Sequence, residues 1–217
     1  MPTTMQRIRN LAPLAILALA APGTAQMPME QPGKPLPARV TAGTYTVDPN
    51  HTLIGWKVNH LGFNDYFGIF GSTTGTLVLD PARPAMDKLD VTIPVSKVTT
   101  ANAGLTAHLL RPGKDGGKPD FFGPDQADAH FVSTAVKVLP GGRSATIAGN
   151  LTLNGVTAPV TIAASFSGTG VNGMSKAATV GFHGSTTIRR SVFGIAGYVP
   201  LISDAVRLDI TAAFEKK

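Results

Sequence analysis

The chain has 217 residues, no cysteine, and 19 basic against 13 acidic side chains, a formal net charge of +6. Without cysteine it has no disulfide framework, no thiol nucleophile and no thiolate metal site. Its basic residues are scattered, with short doublets at Arg189–Arg190 and Lys216–Lys217, so it lacks the concentrated basic face that nucleic-acid binding requires.

Arg7 and Arg9 precede an apolar run from Leu11 to Ala21, and small residues follow up to Ala25. That order is a secretory signal peptide, residues 1–25, cut after Ala25 with the Ala20–Ala21 neighbourhood as the alternative. The run is too short for a comfortable membrane span. The two arginines leave with the signal, which lowers the net charge to about +4. No lipobox cysteine is present, and the expected location is the periplasm of a Gram-negative bacterium. An exported chain without disulfides must be held by its core alone, and a domain over residues 43–217 is long enough for one. Residues 26–42 hold Pro28, Pro32, Pro35 and Pro37 among polar residues and read as a semi-rigid extended leader.

From Gly43 onward nearly every apolar segment has strand character. Thr44–Val47 opens the set, and Leu53–Leu61 follows with Ile54, Trp56 and Val58 on one side of the period of two. Glycines at 62, 68 and 71 then interrupt Phe63, Tyr66, Phe67, Ile69 and Phe70, so large apolar groups sit on a backbone free to bend. A curling strand of this kind suits the wall of a small barrel around an apolar interior. Strands are predicted at Phe67–Leu79, Lys88–Pro94, Phe131–Val138, Ala145–Leu153, Val160–Phe166, Thr179–Thr187 and Ala205–Phe214. Asn154-Gly155 is a strong hairpin signal between two of them. Ala101–Leu110 carries helix formers and predicts one or two helical turns, and a long Gly/Pro-rich loop follows it. Inserts of this kind often cover an open barrel end. Close strands joined by turn residues, without long helices, predict an all-β antiparallel barrel or sandwich.

The residues that could carry chemistry are few. Histidines 51, 60, 108, 130 and 183 show no local ligand spacing, so no metal site is expected. His51 reads as a hydrogen-bonding residue in a turn, and His60 shares the inward set of Trp56 and Val58. Glu30 and Glu215 are the two glutamates, and no Gly-x-Ser-x-Gly elbow or phosphate-cradling glycine loop occurs. No catalytic residue and no cofactor is assigned. In an eight-stranded barrel the interior is either filled by side chains or left with room for one small ligand. Small and medium inward residues, with aromatics near probable loops, tilt the reading toward a cavity.

Ordered pieces along the chain carry a family likeness: Tyr45-Thr-Val-Asp48 with His51; His60-Leu61-Gly62 before Gly68-Ile-Phe70; Val95-Ser96 with Thr99-Thr100; His108-Leu109; and Asp120-Phe121-Phe122. Phe131-Val-Ser-Thr134, Gly149-Asn-Leu-Thr-Leu-Asn-Gly-Val156, and Thr187-Ile-Arg-Arg190 before Phe193-Gly194 complete the set. The sequence resembles the YceI family of bacterial periplasmic proteins over roughly residues 43 to 215. Val192 stands where that family commonly has an acid, and Leu105, Thr106 and Ala107 stand where charged residues are often found. The resemblance implies an eight-stranded, lipocalin-like antiparallel barrel with a short helical insert, which binds a polyprenyl or isoprenoid-quinone lipid in its interior and has no established enzymatic activity. Lining residues expected on this basis are Trp56, Val58, Phe67, Phe70, Phe121, Phe122, Phe131 and Phe193, with His108 and Arg190 at the headgroup end. A redox accessory protein or enzyme acting on a bound quinone, and a filled barrel serving as a stress-response partner, are the competing readings. Transient contact with a membrane surface and a homodimer stay open.

Overall fold

The computed structural model describes residues 30–217; the expected signal peptide and cleavage site lie outside the described residues. Ten strand segments make one antiparallel sheet: β1 (Gly43–Val47), β2 (Leu53–His60), β3 (Asn64–Phe70), β4 (Thr74–Leu79), β5 (Lys88–Ile93), β6 (Ala129–Val138), β7 (Ser144–Leu153), β8 (Val156–Val171), β9 (Ala178–Arg189) and β10 (Ala205–Lys216). The sheet closes on itself because β10 pairs with β9 along one edge and with both β1 and β2 along the other.

Ten segments occupy eight positions around the ring. β1 and β2 follow one another along β10, facing Phe214–Lys216 and Arg207–Thr211 respectively. β3 and β4 likewise lie end to end, β3 beside β2 and β4 beside β1. The expected single strand Phe67–Leu79 is therefore interrupted at residues 71–73, where Ser72 takes a left-handed conformation. Of the barrel or sandwich that the strand pattern predicts, the barrel is observed, with the eight strand positions that the family resemblance implies.

Side chains repair the break between β1 and β2. The Asp48 N–H donates to the Ala213 carbonyl at 2.9 Å, and the buried Thr52 hydroxyl donates to that same carbonyl at 3.3 Å while accepting the Ala213 N–H at 3.2 Å. Asp48 in turn accepts from the backbone of Asn50 and His51 and pairs with the His51 ring at 2.6 Å, so His51 sits in a strand-start turn.

Local chemistry explains the rest of the ring. Asn154 and Gly155 both have positive φ, the backbone that a tight two-residue hairpin demands, and they join β7 to β8 in the register Leu153↔Val156. Register shifts between Ser133 and Ala135 in β6 and between Phe166 and Gly168 in β8 mark bulges, which bend strands as ring closure requires. One helix, α1 (Ala103–Leu110), interrupts the strands, its first turn capped by the Asn102 side chain accepting from the Leu105 N–H at 3.0 Å.

The described part of the proline-rich segment is docked on the barrel base. Lys34 and Thr169 exchange two backbone hydrogen bonds of 2.9 Å, and Arg143 donates to the Pro35 carbonyl at 2.9 Å. A Cβ at Gly170 would strike the Pro32 carbonyl, so glycine admits this strap.

The Thr52 bridge gives a direct test of closure. Thr52→Val keeps the shape but leaves the Ala213 N–H without its partner, while the Ala213 carbonyl keeps the Asp48 N–H, a cost of about 1–3 kcal/mol. Urea unfolding is expected to show that loss; a change under about 0.5 kcal/mol would mean that the hydroxyl does not help seal the ring.

Candidate functional site

Inward residues of the barrel follow the period of two, and at the α1 end they leave a cavity of about 740 Å³. Ile54, Trp56 and Val58 of β2, Tyr66 and Phe70 of β3, Ile93 of β5, Leu151 and Leu153 of β7, Ile188 of β9 and Val206 and Leu208 of β10 form its walls. The volume lies inside the range of about 300–1,000 Å³ that suits a single small-molecule or cofactor ligand.

The insert after β5 forms the roof. Leu105, His108 and Leu109 of α1 line the cavity, the three- and four-residue spacing that shares a helix face. Phe121 and Phe122 come down from the following loop, which is tied to the helix by Phe122 and Gly123 N–H groups donating to the Leu109 carbonyl at 3.0 and 3.3 Å. Phe122 meets Phe70 edge-on at 6.0 Å, and Phe121 meets the His108 ring at 5.4 Å. Tyr198 and Leu201, from the loop before β10, complete the rim beside His60, Leu61 and Asn64 of the β2–β3 hairpin. A 2.8 Å bond from the Leu61 N–H to the Leu201 carbonyl ties these two rim loops together.

Asp120 is the electrostatic knot of the roof. Its Oδ2 meets Arg111 Nη2 at 2.9 Å and His108 Nε2 at 3.0 Å, and it accepts from the Tyr198 hydroxyl at 3.3 Å. The Arg111 bond first and the His108 bond second hold its carboxyl down at about 2. Asp120 thereby joins helix, loop and rim.

Arg190 touches the same cavity but is spent on the protein itself. Its Nε donates to the Ser203 carbonyl at 2.9 Å, Nη1 to Ile195 at 2.9 Å and Nη2 to Ile202 at 2.8 Å. Only 5% exposed, with burial lowering its pKa, the guanidinium staples the rim loop in place. Arg190 thus lines the cavity as expected, with three of its five N–H donors committed to these carbonyls.

Other expected residues fall in different places. Trp56, Val58, Phe70, His108, Phe121 and Phe122 all line the cavity. Phe67 does not: it pairs with Lys57 on the outer face and is 62% exposed, since Tyr66 and Gly68 take the inward positions on either side of it. Phe193 is 2% exposed and packed into the core through a short 3-10 turn, with its carbonyl held by Asn154 Nδ2 at 3.0 Å. Phe131 is 4% exposed and belongs to the same core cluster rather than to the cavity wall.

Among lining residues that the sequence reading passed over, Ile54, Val206 and Leu208 carried a signal, being in step with inward neighbours. Tyr66, Tyr198 and Leu201 carried little, because rim and loop positions have no period to read. One polar atom on the wall is orphaned: the Trp56 indole N–H is buried without a hydrogen-bond partner. Among the described residues, no three histidine, aspartate or glutamate side chains converge as a cation site.

The Asp120 knot predicts an acid signature. A carboxyl whose pKa falls on folding stabilises the fold above its ordinary value and loses that contribution as pH drops through the folded one. Roof stability should therefore fall between 3.8 and about 2. Thermal melts of wild type and Asp120→Asn across that window should converge at the acid end; parallel profiles would refute the assignment.

A family profile described as the YceI-like domain matches residues 45–214. A UPF0312 protein of Pseudomonas fluorescens is 36% identical over 200 residues, covering 90% of this chain and 94% of its own. Among solved structures, BcnA of Burkholderia cenocepacia superposes with a TM-score of 0.61 at 22% identity, covering 77% of this chain and 98% of its own. A polyisoprenoid binding domain from Saccharophagus degradans superposes with a TM-score of 0.54 at 11% identity, covering 82% of this chain and all of its own. Barrel, insert and matched residues agree, and the chain belongs to the YceI family.

Proposed function

We propose that this protein is a periplasmic carrier that holds the isoprenoid chain of a polyprenyl or isoprenoid-quinone lipid inside its barrel, without covalent chemistry. The observation that carries the reading is the cavity of about 740 Å³ with walls of leucine, isoleucine, valine and aromatic side chains. Each CH₂-sized group moved from water into such a wall contributes about 0.8 kcal/mol before the costs of association. The likeness to a polyisoprenoid binding domain supports the same ligand class.

Polar partners for a headgroup are sparse and sit at the mouth. The Tyr198 hydroxyl, the His108 ring and the side chains of His60 and Asn64 face it. The signal-peptide pattern of residues 1–25 supports export.

A lipid of this kind reaches the barrel from a bilayer, and the rim is built to meet one. Phe63 at the hairpin tip is 86% exposed, Leu61 and the Leu201 bonded to it are exposed on the same rim, and Phe67 is exposed farther along the outer face of β3. Exposed apolar groups gathered in one patch mark a contact surface, and Leu61 and Leu201 also line the cavity. Leu61 holds a left-handed backbone at φ 57°, a conformation that costs a leucine energy and is retained at ligand clamps.

Two measurements test the reading. Organic extraction of the purified mature protein followed by mass spectrometry should return one isoprenoid lipid at near-stoichiometric yield. Protein that emerges empty and also fails to take up farnesol or geranylgeraniol would defeat the proposal. Phe63→Ser with Phe67→Ser should slow uptake of a fluorescent isoprenoid from phosphatidylglycerol-containing vesicles by about tenfold, while uptake from detergent stays unchanged. Equal slowing from both sources would remove the membrane contact from the account.

A further inference from the structure

The barrel holds a second cavity, about 370 Å³, at the end closed by the docked proline-rich strap. The two cavities share no lining residue, although they are made by the same strands. Along β6 the inward series passes from Ala129 on the first cavity, through Phe131 on neither, to Val136 on the second. Along β7 it passes from Leu151 through Gly149 to Ile147 in the same sense. One level of the barrel therefore separates the compartments.

Phe131 sits at that level, lining neither cavity, and the neighbouring strand leaves room for its ring. A Cβ at Gly149 would collide with the edge of the Phe131 ring, so the glycine of the neighbouring strand makes room for it. Leu151 on one side and Val91 on the other are its cross-strand partners, and all of these belong to or pack on one buried cluster.

We infer that Phe131 is a length stop: the septum it forms limits the isoprenoid tail to the first cavity, and the second cavity is reached only when the ring is removed or displaced. The inference rests on the isoprenoid reading above. A tail that fits within about 740 Å³ binds without disturbing the core. A longer tail leaves its end in solvent or displaces a well-packed phenylalanine, so added length brings no further gain.

A ladder of prenols tests this, with farnesol, geranylgeraniol and solanesol delivered from detergent and binding followed by fluorescence of the sole tryptophan, Trp56. In wild type, affinity should rise from farnesol to geranylgeraniol and then level off. In Phe131→Ala, solanesol should bind tighter than geranylgeraniol by about tenfold or more, the gain from roughly two additional buried CH₂-sized groups. Phe131→Leu keeps an apolar filler should the alanine variant fail to fold, and it should fall between the two. Wild-type affinity that keeps climbing to solanesol, or variants whose ladders match wild type, would overturn the length stop while leaving the isoprenoid reading standing. Failure of every prenol to bind wild type and variants alike would overturn that reading and this inference with it.

Discussion

Everything in this molecule depends on β10 being paired along both edges. A sheet with a free edge could splay and fill its own interior, whereas a ring of eight strand positions fixes how far apart opposite walls stand. β10 achieves this with β9 on one side and with β1 and β2 in succession on the other. The Thr52 hydroxyl serves Ala213 where those two segments part, so the ladder is sealed where the chain leaves it. Once the ring is fixed, the period of two decides which side chains enter it. The inward set is rich in valine, leucine and isoleucine, and it leaves two spaces that the backbone cannot collapse to close.

The sequence was legible wherever structure is local and periodic. The alternation Val206, Leu208, Ile210, Ala212, Phe214 specifies an inward face without any knowledge of the partner strand, and Asn154-Gly155 specifies its own turn. Ring closure was not local: nothing in Gly71-Ser-Thr73 announces that a strand breaks there while its two halves stay in one ring position. Phe67 shows the other kind of failure. An aromatic cluster reads as one greasy wall, yet the strand sends Tyr66 inward and Phe67 outward, and the strict alternation outweighs the composition.

Long-range partners hid the rest. The bonds that hold Arg190 were hidden because its three carbonyl partners come from residues 195–203, a stretch with no regular period. Phe193 looked like a wall residue, but a short 3-10 turn carries it out of the strand's alternation and into the core. The insert was legible as a helix and a loop. That Leu105, His108 and Leu109 would form a roof depended on Asp120 gathering His108 and Arg111 at the end of the helix with Tyr198 from a distant loop.

This distribution of charge has a consequence for recognition. Near the mouth, Asp120 is occupied by its three donors, Arg190 by its three carbonyls, and Lys57 by Asp65 at 2.9 Å. Asp120 and Lys57 are thus paired with opposite charges, whereas the Arg190 guanidinium is held in place by neutral carbonyls and keeps its charge. On the isoprenoid reading proposed above, the apolar walls select by length and girth, because packing in a closed ring cannot stretch to admit a larger tail. Phe131 is buried at the level between the two cavities and lines neither of them. On that reading, selectivity resides in the depth of the lumen more than in its mouth, because the walls that set the depth belong to a ring whose strand pairing fixes their spacing.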